Sequence, residues 1–278
     1  MKKYVEGESK EERKLRKDRE KDLQDHQVME LPDIQPHNLL VKHQNYILCL
    51  KHGTKYSAEY VNKLYNMVSR HCTIDFTFVC LTEDSTNLNP KILVVPLRIP
   101  DNLKGWWCKP YIFSNKLGLT GTILYMDLDV VIANNIDHLF TFEKGHWCTI
   151  RDFTRKMRPN WEKYNSSVIR FDSGQLDHLW QSFKSSSTLI QRKYFGDQDW
   201  LYDVTKNLPA KLFPDEWIQS WKWEIRKSKE FAAGGSKGNR KLKTIEHVQP
   251  KDTCCICVFH GDPNPHNCED SWVWKNWR

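Results

Sequence analysis

The sequence predicts an α/β fold, a parallel sheet with helices packed on it. Two observations carry this. Short apolar runs of strand length alternate with segments of helical periodicity. The chain has 278 residues, 39% of them hydrophobic, enough for one large α/β domain or two small ones.

The first 40 residues stand apart as a charged extension, helical or disordered. In "GESKEERKLRKDREKDLQDHQ" only Leu15 and Leu23 are apolar. Ser9 suits a helix cap, and acids and bases at i, i+4 spacing support a solvated helix or a docking helix. Residues 41–278 read as a single domain. "YILCL" (Tyr46–Leu50) is a buried strand, followed by the loop "KHGTKYS". "AEYVNKLYNMVSRH" places Val61, Leu64, Tyr65 and Val68 on one face of a helix with Ser57 as its N-cap. "IDFTFVCL" and "KILVVPL" are strands two and three. "GWWCKPYIFSNKLGLTG" reads as a helix with Pro110 in its first turn, which sets Lys109 at a helix N-terminus, where anions are favoured. "TILYMDLDVVI" reads as a central strand, "HWCTIRDF" and "SSVIRFD" as further strands, "SGQLDHLWQSFKS" and "DQDWLYDVTKNL" as helices, and "TCCICVFHG" as a late strand. Residues 228–243 are rich in Gly, Ser and Lys and read as a mobile loop.

The totals narrow the function classes. The net charge of +7 suits a face that meets anions such as nucleotide phosphates, nucleic acid or an acidic surface. Twelve Trp residues suit carbohydrate or base stacking as well as a core. The charged N-terminus, with no apolar run behind it, does not read as a secretory signal, and no run approaches the length of a membrane span. Nine cysteines, an odd number, fit reduced thiols and a cytoplasmic location better than a disulfide framework.

Four constellations carry chemistry. In the D-x-D of Asp127-Leu128-Asp129, an extended backbone turns both carboxylates the same way, at the strand end where open α/β sheets bind ligands. Two such carboxylates suit a divalent cation, Mn²⁺ or Mg²⁺, completed by substrate phosphates. His260 and Gly261, in "VFHGDPNPH", follow a strand directly, and His260 offers that cation a nitrogen. A competing zinc reading takes Cys254, Cys257, His260, His266 and Cys268, although a strand would send Cys254 and Cys257 to opposite faces. In "FGDQDW", Asp197 suits a helix cap, which leaves Gln198 unexplained. Lys109 suits a diphosphate.

Taken in order, "LCLKHGTKY", Lys109, "YMDLD", "YNSS", "GDQDW" and "FHG" resemble the nucleotide-sugar glycosyltransferases of the GT-A fold, most closely glycosyltransferase family 8. The resemblance runs from about Tyr46 to His266. It implies a mixed, Rossmann-like sheet flanked by helices and a UDP-sugar donor. It also implies Mn²⁺ held by Asp127, Asp129 and His260, and a uridine held by Leu50, Lys51, His52, Gly53 and Tyr56. Leu128 and Gly261 fall in the matched donor-binding segments. Lys109 would meet the diphosphate or the sugar. Asn165 and Ser166 would lie beside the donor sugar, Asp197 would bind its hydroxyls, and Gln198 would sit near the anomeric carbon, opposite the leaving group. The sequence departs from the pattern at Ser167, where the family has Gly. It departs again at Asp262, Pro263 and Asn264, where the family places a Lys that contacts the diphosphate; Lys237 or Lys241 are substitutes. The expected activity is metal-dependent transfer of a hexose from a UDP-sugar to a carbohydrate or other hydroxyl acceptor, with retention. A nucleic-acid acceptor lacks a supporting motif. The rivals are a nucleotidyltransferase and a non-catalytic carbohydrate or nucleic-acid binder on the same fold. The Trp-rich tail "EDSWVWKNWR" is expected to cover the acceptor side.

Overall fold

The computed structural model describes residues 45–100, 102–226 and 249–278, together with Lys14 and Lys17. The charged extension and the 228–243 loop, with Lys237 and Lys241, otherwise lie outside the described residues.

From Asn45 on, the described residues form ten strands and five α-helices: β1 (Asn45–Lys51), α1 (Ala58–His71), β2 (Thr77–Thr82), β3 (Leu93–Pro96), β4 (Thr122–Met126), β5 (Val130–Ile132), α2 (Asp137–Thr141), β6 (Cys148–Arg151), β7 (Tyr164–Asp172), α3 (Asp177–Lys193), α4 (Asp197–Val204), β8 (Lys211–Leu212), β9 (Ile218–Ser220), β10 (Ile256–Val258) and α5 (Ser271–Asn276). Seven strands form one sheet in the order β3-β2-β1-β4-β7-β6-β8. The first four run parallel, β7 is antiparallel to both β4 and β6, and β8 runs parallel to β6. The sheet is therefore mixed, as the family resemblance implies, and not the parallel sheet that alternation alone predicts. Alternation of strands and helices cannot register this reversal, because a strand's apolar pattern is the same in either direction.

Both faces of the sheet are covered. Along β1, Ile47 and Cys49 join a core with Val61, Leu64 and Val68 of α1, while Tyr46 and Leu48 join another with Trp107, Tyr111, Trp180 and Phe183. A strand buried on both sides reads as one continuous apolar run, as "YILCL" does.

Three sequence expectations change. "TILYMDLDVVI" is two strands in two sheets: β4 belongs to the large sheet, and β5 pairs with β10 in a small sheet ordered β5-β10-β9. Asp127-Leu128-Asp129 is the joint, still tied by Asp127 N–H to Ser167 O at 2.8 Å and by Phe259 N–H to Asp129 O at 2.9 Å. "GWWCKPYIF" is a 3₁₀ run, Gly105–Phe113, followed by a second short one at Asn115–Leu117. Pro110 sits inside that run and lacks the N–H that an α-helix would need there. Lys109 therefore starts no α-helix of its own. The Trp-rich tail packs Trp272, Val273 and Trp277 into the core that contains α1 and β5, with Trp277 edge-on to Tyr60, and away from the large cavity described below. All nine cysteines are buried and free. Among the described residues, no helix is long and apolar enough to cross a membrane.

Candidate active site

The chain leaves β1 for β2 on one side, and later adds β4 on the other. The carboxyl ends of β1 and β4 therefore flank a topological switch point, where such sheets open a crevice. A cavity of about 700 Å³ lies there, within the range that holds a nucleotide-sized ligand. Leu50, His52, Tyr56, Lys109, Asp127, Leu128, Asp129, Asn165, Ser166, Asp197, Gln198 and His260 all line it. These predicted residues come from six separate segments, and only the tertiary fold brings them together.

Three predicted residues do not line it. Lys51 alternates with Leu50 and points away; its Nζ donates to Asp84 O at 3.3 Å and lies 3.6 Å from the Asp84 carboxylate. Gly53 adopts φ +64°, a conformation costly for other residues, and its N–H donates to Glu83 Oε1 at 2.6 Å. Gly261 turns the chain after His260 at φ +85°, and a Cβ there would lie 3.7 Å from Lys222 Nζ.

The electrostatic centre is Lys109. Its Nζ lies 3.0 Å from Asp127 Oδ1, 3.1 Å from Asp127 Oδ2 and 3.5 Å from Asp197 Oδ2, and donates to Ser166 Oγ at 3.0 Å. Burial favours the neutral amine, but the two carboxylates outweigh it and hold the ammonium above the usual lysine pKa. Asp197 opens α4 at its first position rather than capping it; Gly196 is the cap. The Asp197 carboxylate instead accepts from Ser166 Oγ at 2.6 Å. Its pKa is raised, because burial outweighs the pull of Lys109. That resolves the alternative for Asp197 against capping.

Asp127 also accepts from Tyr125 Oη at 2.6 Å, and Asp129 from Tyr56 Oη at 2.7 Å. Burial and the neighbouring Asp127 push Asp129 up to about 6, against the Tyr56 hydrogen bond. Two carboxylates that repel across a cavity form a hard-oxygen pair suited to a divalent cation. His260 is neutral near pH 7, since burial, with Lys222 nearby, pushes its pKa down to about 4. Its ring stacks on Phe153, and its Nε2 is 2.6 Å from Ser220 Oγ. A cation and the Ser220 hydroxyl would compete for that nitrogen. Among the described residues, no three His, Cys, Asp or Glu side chains form a ready metal cluster. The alternative zinc set is therefore not gathered either, and His266 Nδ1 instead meets Tyr60 Oη at 2.5 Å.

Gln198 lies between two polar side chains: its Oε1 faces Asn165 Nδ2 and its Nε2 faces Asp152 Oδ2, each at 3.5 Å. Ser220 is held in turn by Glu224, whose Oε2 accepts the Ser220 N–H at 2.9 Å. Buried Arg155 grips both oxygens of Glu224 at 3.0 Å. This chain anchors the π-helical turn Trp221–Ile225, which carries Lys222 beside His260.

Sequence reading missed Tyr125, Trp106, Phe195, Asp152 and the Ser220–Lys222 turn as parts of this site. Tyr125 was legible, two residues before Asp127 on the same strand face. The Ser220 turn left no local signal.

No family model matches the sequence, and no curated protein matches it either. Solved structures do. An active-site mutant of LgtC aligns with 81% of this chain and 91% of its own, at TM-score 0.54 and 11% identity. The galactosyltransferase LgtC in complex with donor and acceptor sugar analogues covers 83% of this chain and 93% of its own, at TM-score 0.53 and 12% identity. The glycosyltransferase GlyE of Streptococcus pneumoniae TIGR4 gives TM-score 0.60 at 11% identity, over 84% of this chain and 62% of its own. With its mixed seven-stranded sheet and its cavity at the switch point, the chain has the GT-A fold of these glycosyltransferases.

Proposed function

We propose that the protein is a metal-dependent glycosyltransferase of the family 8 type, moving a hexose from a UDP-sugar to a hydroxyl acceptor with retention of configuration. The observation that carries this is the convergence of Asp127, Asp129, Lys109, Asp197, Gln198 and His260 on one cavity at the switch point of a GT-A sheet. The LgtC complex with donor and acceptor sugar analogues supports the same reading.

The residues fit a divalent cation in part. Asp127 and Asp129 would hold Mn²⁺ or Mg²⁺, with donor phosphates and His260 completing the set. Bound there, the cation supplies Lewis-acid neutralisation of the departing diphosphate. Leu50, His52 and Tyr56 hold the uridine at the end of β1. Lys109 remains charged and donates toward the diphosphate or sugar while keeping Asp127 and Asp197 in place. Lys222, whose Nζ lies 3.7 Å from where a Cβ on Gly261 would stand, offers a cation near the position of the missing C-terminal Lys. It adds fixed positive charge where the leaving group develops negative charge. Asp197 accepts hydrogen bonds from sugar hydroxyls. Gln198, set by Asn165 and Asp152, faces the anomeric carbon; as a neutral amide it is a poor nucleophile. The acceptor hydroxyl then bonds to the anomeric carbon from the leaving group's own face as the bond from that carbon to the phosphate oxygen breaks, and its proton passes to the departing UDP.

The test is calorimetry with UDP, with and without Mn²⁺, followed by a screen of UDP-sugars for metal-dependent release of UDP. Metal-dependent UDP binding with UDP release is the expected result. UDP binding without turnover would indicate a binding protein. Pyrophosphate release would indicate a nucleotidyltransferase.

A further inference from the structure

Trp106 and Phe195 are large apolar side chains left in water at the rim of the same cavity. Phe195 is 89% exposed and Trp106 53%, and both line the cavity. Their neighbours in sequence behave differently: Trp107 is buried and stacks on Phe183 with centroids 6.0 Å apart, and Trp200 is buried as well. Of the aromatic side chains that line the cavity these two are the exposed ones; away from it, Trp274 is exposed as well. The fold also brings the pair to one place. Trp106 Nε1 lies 3.8 Å from the point where a Cβ on Gly196 would stand, so the indole lies along the turn that carries Phe195 and Asp197. Gly196, with no side chain, leaves that approach open.

Apolar rings exposed together beside polar groups mark a binding surface. Here the polar groups are acceptors: Asp197, Gln198 and Asp199 follow Phe195 directly and line the cavity. A pyranose matches this arrangement, with one face of C–H groups to cover an aromatic ring and an edge of hydroxyls to donate to carboxylates. A nucleic-acid strand matches it poorly. Asp197 and Asp199 stand beside the rings and disfavour backbone phosphates there, while Lys109, Asp127 and Asp129 are assigned to the donor diphosphate and its cation. The pair lies at the turn that opens α4 with Asp197.

The geometry points to an acceptor that is itself a pyranoside, held with its apolar face on Trp106 and Phe195 and its hydroxyls toward Asp197, Gln198 and Asp199. This rests on the glycosyltransferase reading, and the test separates the two. UDP with Mn²⁺ is first titrated into the wild-type full chain by calorimetry; failure there removes the glycosyltransferase reading itself. With UDP and Mn²⁺ present, saturation-transfer NMR then probes methyl β-galactopyranoside, methyl β-glucopyranoside, lactose, maltose, a Ser/Thr peptide and a single-stranded oligonucleotide. At least one sugar is expected to bind, with saturation concentrated on the C–H protons of one ring face. The W106A/F195A double variant should weaken that sugar at least tenfold, and W106F/F195Y should restore it to within threefold of wild type. Phe195 and Trp106 are exposed enough for truncation to spare the core, and circular dichroism checks this. The proposal falls if no sugar in the panel binds while UDP does, if only the peptide or the oligonucleotide binds, or if W106A/F195A binds the sugar within threefold of wild type.

Discussion

Replacing Lys109 with Met tests whether the centre of the site is held by charge. Lys109 is only 9% exposed, and its Nζ lies 3.0 Å from Asp127 and 3.5 Å from Asp197. At an effective dielectric constant near 20, each contact gives about 5 kcal/mol of gross attraction. Desolvation of the ammonium offsets much of that. Removing the cation alone leaves buried Asp197 and the partly exposed Asp127 uncompensated, which costs about 3 kcal/mol, the low end for a buried pair. Met fills nearly the same volume, so a cavity adds little. With a urea slope of ~2.5 kcal/mol per M, the unfolding midpoint should fall by about 1 M. The second arm is K109M combined with D197N. Removing one of the stranded charges should recover at least ~1 kcal/mol, seen as a non-additive double-mutant cycle. A K109M midpoint within 0.2 M of wild type, or strict additivity with D197N, would show that the ion triad holds nothing together.

Other outcomes follow from the same contacts. D127A/D129A should abolish Mn²⁺-dependent UDP binding and UDP release; turnover at the wild-type rate with Mn²⁺ would refute the metal assignment. K222A should lower kcat for UDP release by about 10²-fold, the usual cost of one preorganised donor; a kcat within threefold of wild type removes Lys222 from leaving-group stabilisation. E224A removes two hydrogen bonds from buried Arg155, which keeps Asp215 at 3.0 Å, and frees the Ser220 N–H, so it should cost about 2 kcal/mol in urea unfolding; a loss below ~0.5 kcal/mol contradicts the anchoring chain. The Asp137 carboxyl is pulled down to about 2 by Thr73 and Asn135, against the opposing effect of burial. A lowered carboxyl pKa stabilises the fold above the unfolded value near 4, and this is lost as pH falls through about 2. D137N should therefore be less stable than wild type at pH 7, and the gap should close in acid unfolding below pH 3. A gap that persists at pH 2 would mean the asparagine disturbs packing instead.

The sequence by itself determined the local elements and the order of the chemical groups. Val61, Leu64 and Val68 on one face of α1, and the apolar run of β1, are statements about burial, which a chain encodes by periodicity. Carboxylates directly after "ILYM" are likewise legible, because a charge in a buried run marks an end. What periodicity lacks is the identity of partners and the direction of strands. The reversal at β7 and the division of "TILYMDLDVVI" between two sheets follow from pairing with β7 and β10, strands distant in sequence. Lys109 shows the difference most clearly. Its place beside Pro110 suggested a helix start, yet its role comes from Asp127 and Asp197, residues that local sequence cannot connect to it. The same holds for Ser220 against His260 and for Trp106 beside Gly196. The sequence determined which groups the chain possesses and which runs it must bury. The tertiary structure decided which groups meet, because contacts between distant segments are set by packing and strand pairing rather than by any local pattern.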